Sequence, residues 1–381
     1  MNSSQGESPL GACRSGALNL LQNCAQLTAG ERLLVVCERP DLGWYDADAP
    51  RAVVEVAREL GAEVSIEQLE SAGDGPAAAA AIDRRCAAHD CTVFFARAGD
   101  RRRFSSALLG AGGRRSVMCY ARDAGMLSSR YATTPHAAML AVTEAVDEII
   151  RGARTIAIRC SLGTDFTGTG APGGAPCGPE PSDVGILRFP QGVHAPVSAR
   201  HFQGQIALSN YVTSTGSAYY QPDHLRLEAV VMAQVAGGTI RAFTGRKTDV
   251  KRLRAHYRRV SGLLGVDPEI VHSWHAGIHP GCCYRAPVHE YPDRWGNNVF
   301  THPRILHFHT CGGNPGEIAW NIENPTVAID GRPLWAHGRL QVEDFAPTRR
   351  ALAQWPELQT LFGVSLPPCQ NSRRSASSAL L

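Results

Sequence analysis

From Leu20 to about Arg159, short β-branched or aromatic runs alternate with Ala-rich amphipathic segments, and that alternation leaves few folds open to the chain. Arg32 to Cys37 reads as a strand, Pro50 to Leu60 as a helix stopped by Gly61, and Glu63 to Glu67 as the next strand. Pro76 to Ala88 and Thr92 to Ala96 repeat the unit. A strand from Ser116 to Tyr120 then precedes a long helix from about Pro135 to Arg151. Strands joined through helices pair in parallel, so a doubly wound α/β domain is expected.

The texture changes after the strand Arg154 to Cys160. Gly163-Thr164-Asp165-Phe166 leads into a loop from Thr167 to Pro181 dominated by Gly, Pro and Ala. Strands and turns follow: Gly204 to Val212, then Leu225 to Ala233 and Gly238 to Ala242 around a Gly237-Gly238 hairpin signal. Asp249 to Leu264 is a helix with basic residues on its polar face. Asn298 to Thr310 reads as a strand, and Thr326 to Ile329 pairs with Pro333 to Leu340 about Asp330-Gly331. The expected class is α/β plus α+β: a tail over 1–19, a Rossmann-like α/β domain over 20–155, a β-rich domain with a ligand or metal cleft over 156–365, and a tail over 366–381.

Composition removes several classes. Hydrophobic residues at 44% and charged ones at 19% exclude a disordered chain. No apolar run reaches the roughly 18 residues of a membrane span. A net charge of +3 is too small for a nucleic-acid partner. The 12 cysteines would suggest disulfides in a small secreted protein, but Met1 to Leu10 has none of the features of a signal peptide, so reduced thiols in the cytoplasm are expected. No CxxC spacing exists, which leaves Cys282-Cys283 as buried thiols. Nucleotide fingerprint, P-loop, GxSxG elbow and HExxH are all missing from the sequence.

The chemistry concentrates in one place. Seven of the 14 histidines lie between His272 and His309. On a strand, His307-Phe308-His309 puts both imidazoles on one face, because side chains alternate with period two, and two ligands on one face suit a first-row transition metal. A third ligand is available from His275 or His279, which Gly277 and Pro280 place in a loop, or from Glu317 after the turn at 312–316. The competing reading is a polar cavity in which these histidines bond to backbone carbonyls.

Four segments resemble the aminopeptidase T family of metallopeptidases and its relative 2,5-dihydroxypyridine 5,6-dioxygenase. They are Gly163-Thr164-Asp165-Phe166, Phe189-Pro190-Gln191-Gly192-Val193-His194-Ala195-Pro196, His275-Ala276-Gly277-Ile278-His279-Pro280, and Ile318-Ala319-Trp320-Asn321 with the stretch Pro325 to Gly331. The resemblance implies a homodimer with a ligand site that includes Asp165, His194, His279 and Asn321. It also implies metal ligands that this chain only partly carries. The peptidases are similar with glutamate near Gly192 and at His275, histidine near His307, and a His-x-Asp pair at Ala319 and Asn321. The dioxygenase is similar with histidine at His275 and the same His-x-Asp pair. Gly192 and Ala319 have no donor, and Asn321 has only an amide.

An ordinary aminopeptidase is therefore not expected. In one outcome the metal site is lost, no cofactor is needed, and the protein binds or modifies a peptide or amino-acid-derived ligand. It would then be similar to the peptide-binding proteins of bacterial ribosomal-peptide natural-product pathways such as crocagin biosynthesis. In the other, His275, His307 and His309, with or without Glu317, form a relocated site for one divalent ion, iron or zinc, in a dioxygenase-like or hydrolytic enzyme.

Overall fold

A computed structural model describes residues 9–70, 76–102, 114–169, 186–216, 220–313 and 316–363, and the sheets, helices and contacts below are those of these residues. The chain divides into two units, residues 1–140 with 181–191 and residues 141–180 with 192–381. The boundary expected at 155–156 thus falls earlier, inside the helix His136–Arg151, and a short segment returns to the first unit before residue 192. One uninterrupted helix belongs to both units, so no Pro- or Gly-rich linker marks the crossing.

The first unit contains α1 (Pro9–Leu18), β1 (Arg32–Glu38), α2 (Asp48–Glu59), β2 (Glu63–Leu69), α3 (Pro76–Ala87), β3 (Cys91–Phe95), α4 (Ala98–Arg102), β4 (Arg115–Cys119), α5 (Ala124–Leu127), α6 (Arg130–Thr133) and the start of α7 (His136–Arg151). After β5 (Thr155–Arg159) and β6 (Asp165–Thr169) of the second unit, it regains β7 (Leu187–Phe189). All five of its strands pair in parallel in the order β2-β1-β3-β4-β7. The order reverses beyond β1, which puts successive right-handed crossovers on opposite faces, the doubly wound arrangement. Leu33, Leu34, Val35 and Val36 are buried without alternation, as a strand covered on both faces requires.

The tail expected over 1–19 is corrected from residue 9 onward. There α1 packs with Cys13 and Ala17 fully buried, and Gly16 approaches α5 so closely that a Cβ would stand 1.9 Å from the Leu127 carbonyl oxygen. The small residues that resemble a loose tail are the ones that permit this approach. The tail over 366–381 lies outside the described residues.

The second unit continues with β8 (Val197–Ser198), β9 (Phe202–Leu208), β10 (Tyr211–Ser214), β11 (His224–Arg226), β12 (Val231–Ala236), β13 (Thr239–Gly245), α8 (Lys247–Leu264), β14 (Val271–Ala276), α9 (Pro292–Val299), β15 (Ile305–Thr310), β16 (Ile318–Glu323), β17 (Thr326–Ile329), β18 (Arg332–Ala336), β19 (Arg339–Leu340), α10 (Ala346–Gln354) and α11 (Pro356–Gly363). Two antiparallel sheets form, in the orders β11-β10-β16-β15-β14-β8 and β13-β12-β9-β6-β5-β17-β18-β19. Aromatic pairs join them: Phe166 with Phe308, Phe202 with Trp274 and Phe243 with Trp320, at ring-centroid separations of 5.6, 5.9 and 6.3 Å. Both expected hairpin turns are present, with φ of +63° and +70° at Gly237 and Gly238 and of +49° and +84° at Asp330 and Gly331.

Some local readings change. The strand expected over Asn298 to Thr310 begins only at Ile305, because Pro292 starts α9 and a turn bonded from Ile305 N to the His302 carbonyl follows it. The loop expected from Thr167 starts later, since β6 runs through Thr169, and its remainder to Pro181 lies outside the described residues. All ten cysteines among the described residues are free thiols. No described helix is long and apolar enough to cross a membrane.

Candidate metal centre

The six-stranded sheet has two different faces because successive side chains along each strand point to opposite sides. Trp274, Phe308 and Trp320 point to the eight-stranded sheet, so their neighbours along each strand point the other way. Antiparallel pairing sets His275 opposite His307 and His307 opposite Asn321 in one row. A second row runs from Ser273 through His309 and Ala319 to Thr213. Four strands thus bring distant polar residues into a two-row grid on one face.

Within the grid His275, His307 and His309 converge. Their ring centroids are 5.1, 5.0 and 4.9 Å apart, and one nitrogen of each lies within 4.8 Å of the others. Tetrahedral zinc at ~2.0–2.1 Å from each nitrogen separates its ligands by roughly 3.3 Å, so small ring rotations close the set. The histidines are buried, with relative exposures of 4, 3 and 8%. Their cover is α9 and the residue following it: a Cβ on Gly296 would stand 2.5 Å from Thr213 Oγ1 and 3.1 Å from Asn321 Nδ2, and the Phe300 ring lies 5.7 Å from those of His275 and His307. Only glycine lets the helix come this close.

Neighbours hold Nδ1 of His307 and of His309. Asn321 Nδ2 donates to Thr213 Oγ1 at 3.2 Å, which turns its Oδ1 toward His307 Nδ1 at 3.0 Å. His307 therefore donates from Nδ1 and keeps Nε2 as a lone pair. His309 Nδ1 lies 3.1 Å from Ser273 Oγ, which lies 3.0 Å from His272 Nδ1. Two polarities satisfy that chain, and in the one where His309 donates to Ser273 and Ser273 donates to His272, His309 Nε2 is again a lone pair. Such outer hydrogen bonds fix tautomer and ring orientation in metal sites.

Other expected site residues are elsewhere or act differently. His275 belongs to β14, so the loop reading of its segment holds only past Gly277. Glu317, expected as an oxygen ligand, is outside the ligand set and lies just before β16, where its charge is felt by Cys311 and Tyr220. Asn321 is not among the three converging residues but hydrogen-bonds to one of them, His307. His194 is a structural residue: Nε2 accepts from Ala276 N at 2.9 Å, Nδ1 donates to the Ala195 carbonyl at 2.7 Å, and burial pushes its pKa down to about 4. His279 is fully buried, with Nδ1 accepting from Gly281 N at 3.1 Å. Asp165 faces away from the inter-sheet core, paired at 3.3 Å with exposed Arg159, in a surface depression of about 510 Å³ that Thr167, Gln203 and Arg241 also line. A Cβ on Gly192 would stand 2.5 Å from Thr301 Cβ, so a glutamate has no room there.

Sequence reasoning missed Ser273, Thr213, Gly296 and Phe300. Ser273 carried a signal, since it precedes His275 by two residues on a strand and shares its face. The other three become neighbours only through non-local pairing and the packing of α9.

No family model matches this sequence, and no curated protein matches it. Among solved structures, 2,5-dihydroxypyridine dioxygenase from Pseudomonas putida is similar, with a TM-score of 0.59 and 15% identity over 90% of this chain and 99% of that one. Wild-type AmpT from Thermus thermophilus aligns with a TM-score of 0.46 and 13% identity over 87% of this chain and 98% of that one. The first likeness shows the fold.

Proposed function

We propose that this protein is a metal-dependent enzyme whose centre is one divalent transition ion held by His275, His307 and His309. The observation that carries the reading is the convergence of three buried imidazoles, two of which have Nδ1 hydrogen-bonded, to Asn321 and to Ser273. Three neutral imidazoles are a donor set for zinc and for other imidazole-binding ions. Bound there, such an ion supplies Lewis acidity and leaves a position open for a ligand. The chain's own part is to hold the tautomers, through Asn321 and Ser273, and to wall the site with Phe300 and α9. The fold shared with 2,5-dihydroxypyridine dioxygenase and the resemblance of the sequence segments together support a small polar substrate, either a ring or an amino-acid-derived molecule.

Metal analysis of untagged protein tests the reading. One equivalent of zinc, iron or cobalt per chain is expected, bound with a dissociation constant below micromolar. His307→Ala and His309→Ala should each release it. A folded protein that takes up no ion after dialysis against cobalt or zinc overturns the proposal.

A further inference from the structure

The ligand class follows from the charge of this site, and the argument rests on the metal reading above. We infer that the open position of the centre selects an anionic oxygen ligand, a carboxylate or comparable oxyanion of the substrate, over a neutral one. All three ligating side chains are neutral, and among the described residues no carboxylate belongs to the set. The rest of the grid is neutral too: Asn321, Thr213, Ser273 and Ala319 occupy the positions beside the histidines. A doubly charged ion would therefore be held by neutral donors alone in a buried site, where a charge without a directly bound counter-charge is costly. A ligand that brings a negative charge relieves that cost.

The helix above the site does not make up the deficit. Its carboxyl, Asp293, is buried with Oδ1 accepting from Ser214 N at 2.7 Å, and burial followed by the charge of Asp223 pushes its pKa up to about 7. It is bound to the Ser214 backbone and stands outside the ligand set. Asn321 is the position at which the arrangement can be altered with least disturbance, because a carboxylate there keeps both the size and the acceptor oxygen that His307 uses.

Cobalt-loaded protein gives a spectroscopic test that needs no turnover. Acetate and acetamide have the same shape and differ in charge, and each can be titrated against the visible cobalt bands. Acetate should bind at least tenfold more tightly than acetamide. In Asn321→Asp that preference should fall toward unity, whereas Asn321→Leu, which loses the hydrogen bond without adding charge, should bind cobalt more weakly but keep the preference. Stoichiometric cobalt with acetamide bound as tightly as acetate, or an undiminished preference in Asn321→Asp, overturns the inference and leaves the metal reading intact. Failure of the wild-type protein to take up cobalt overturns both.

Discussion

Asp293 is a carboxyl placed where its charge is unwelcome. Its folded pKa of about 7 lies above the ordinary value of 3.8, so between those values the folded chain holds a proton that the unfolded chain has released. The sign follows: this residue's contribution to stability is fully present below about pH 4 and is lost as pH rises through 7. Asp293→Asn keeps an oxygen to accept from Ser214 and removes the charge. The variant should be more stable than wild type at pH 8, by a few kcal/mol at most, and equal to it near pH 4. Urea unfolding at the two pH values checks this, and equal stability at pH 8 would show that Asp293 is ionised without strain. At the same scale, Ser273→Ala removes the hydrogen-bond partner of His309 Nδ1 and should weaken metal binding by about 10- to 100-fold with the ligand itself untouched. An unchanged dissociation constant would show that Ser273 does not orient the ligand.

Among the elements, α9 decides whether the grid is a closed site. Helix propensity alone favours alanine over glycine by about 1 kcal/mol. At Gly296 that preference is overruled, because the new Cβ would meet Thr213 Oγ1 at 2.5 Å and disturb the bond from Asn321. Gly296→Ala should lower stability by ~1–3 kcal/mol and weaken metal binding. Gly262 in α8 is the control, since a Cβ there meets nothing within 4 Å, and Gly262→Ala should be neutral or stabilising by up to about 1 kcal/mol. Melting curves of the two variants must move in opposite directions, or at least not together. Most elements were legible beforehand for the same local reasons: the buried run of β1, the helix α8 with Gly265 in the left-handed conformation at its end, and the Asp330-Gly331 turn. The start of β15 was missed although the sequence marks it, since Pro303 lies in the turn closed by the bond from Ile305 N to the His302 carbonyl.

At the scale of the whole molecule, His136, His194, His256 and His302 are buried among the described residues with their pKa values pushed down by burial, the first three to about 4 and His302 to about 3. A depressed histidine contributes stability that is fully present above its unfolded value of about 6.5 and is lost as pH falls toward the folded value. Each should lose ~1.4 kcal/mol per pH unit below 6.5. Four of them outweigh the opposite trend of Asp293 in that window. Urea midpoints should therefore fall between pH 7 and 5.5, and a midpoint that stays level or rises would mean that these rings are protonated in the folded state.

The residue order of this chain settles what has a short period. Alternation of strands and helices gives the first unit its parallel sheet, and the period of two puts His307 and His309 on one face of β15 whatever lies beside it. The partner on that face was beyond such reasoning. His275 reaches His307 because β14 and β15, about 30 residues apart in the chain, pair in one register out of several, and a slip of one residue would turn His275 into the aromatic core. Register is chosen by the whole packed interface: Trp274, Phe308 and Trp320 fill one side, and Gly296 lets α9 close the other. The same packing made His194 structural and Asn321 a positioning residue, because hydrogen-bond partners in a buried grid come from neighbours in space, and those are set only when the sheets and the helix meet.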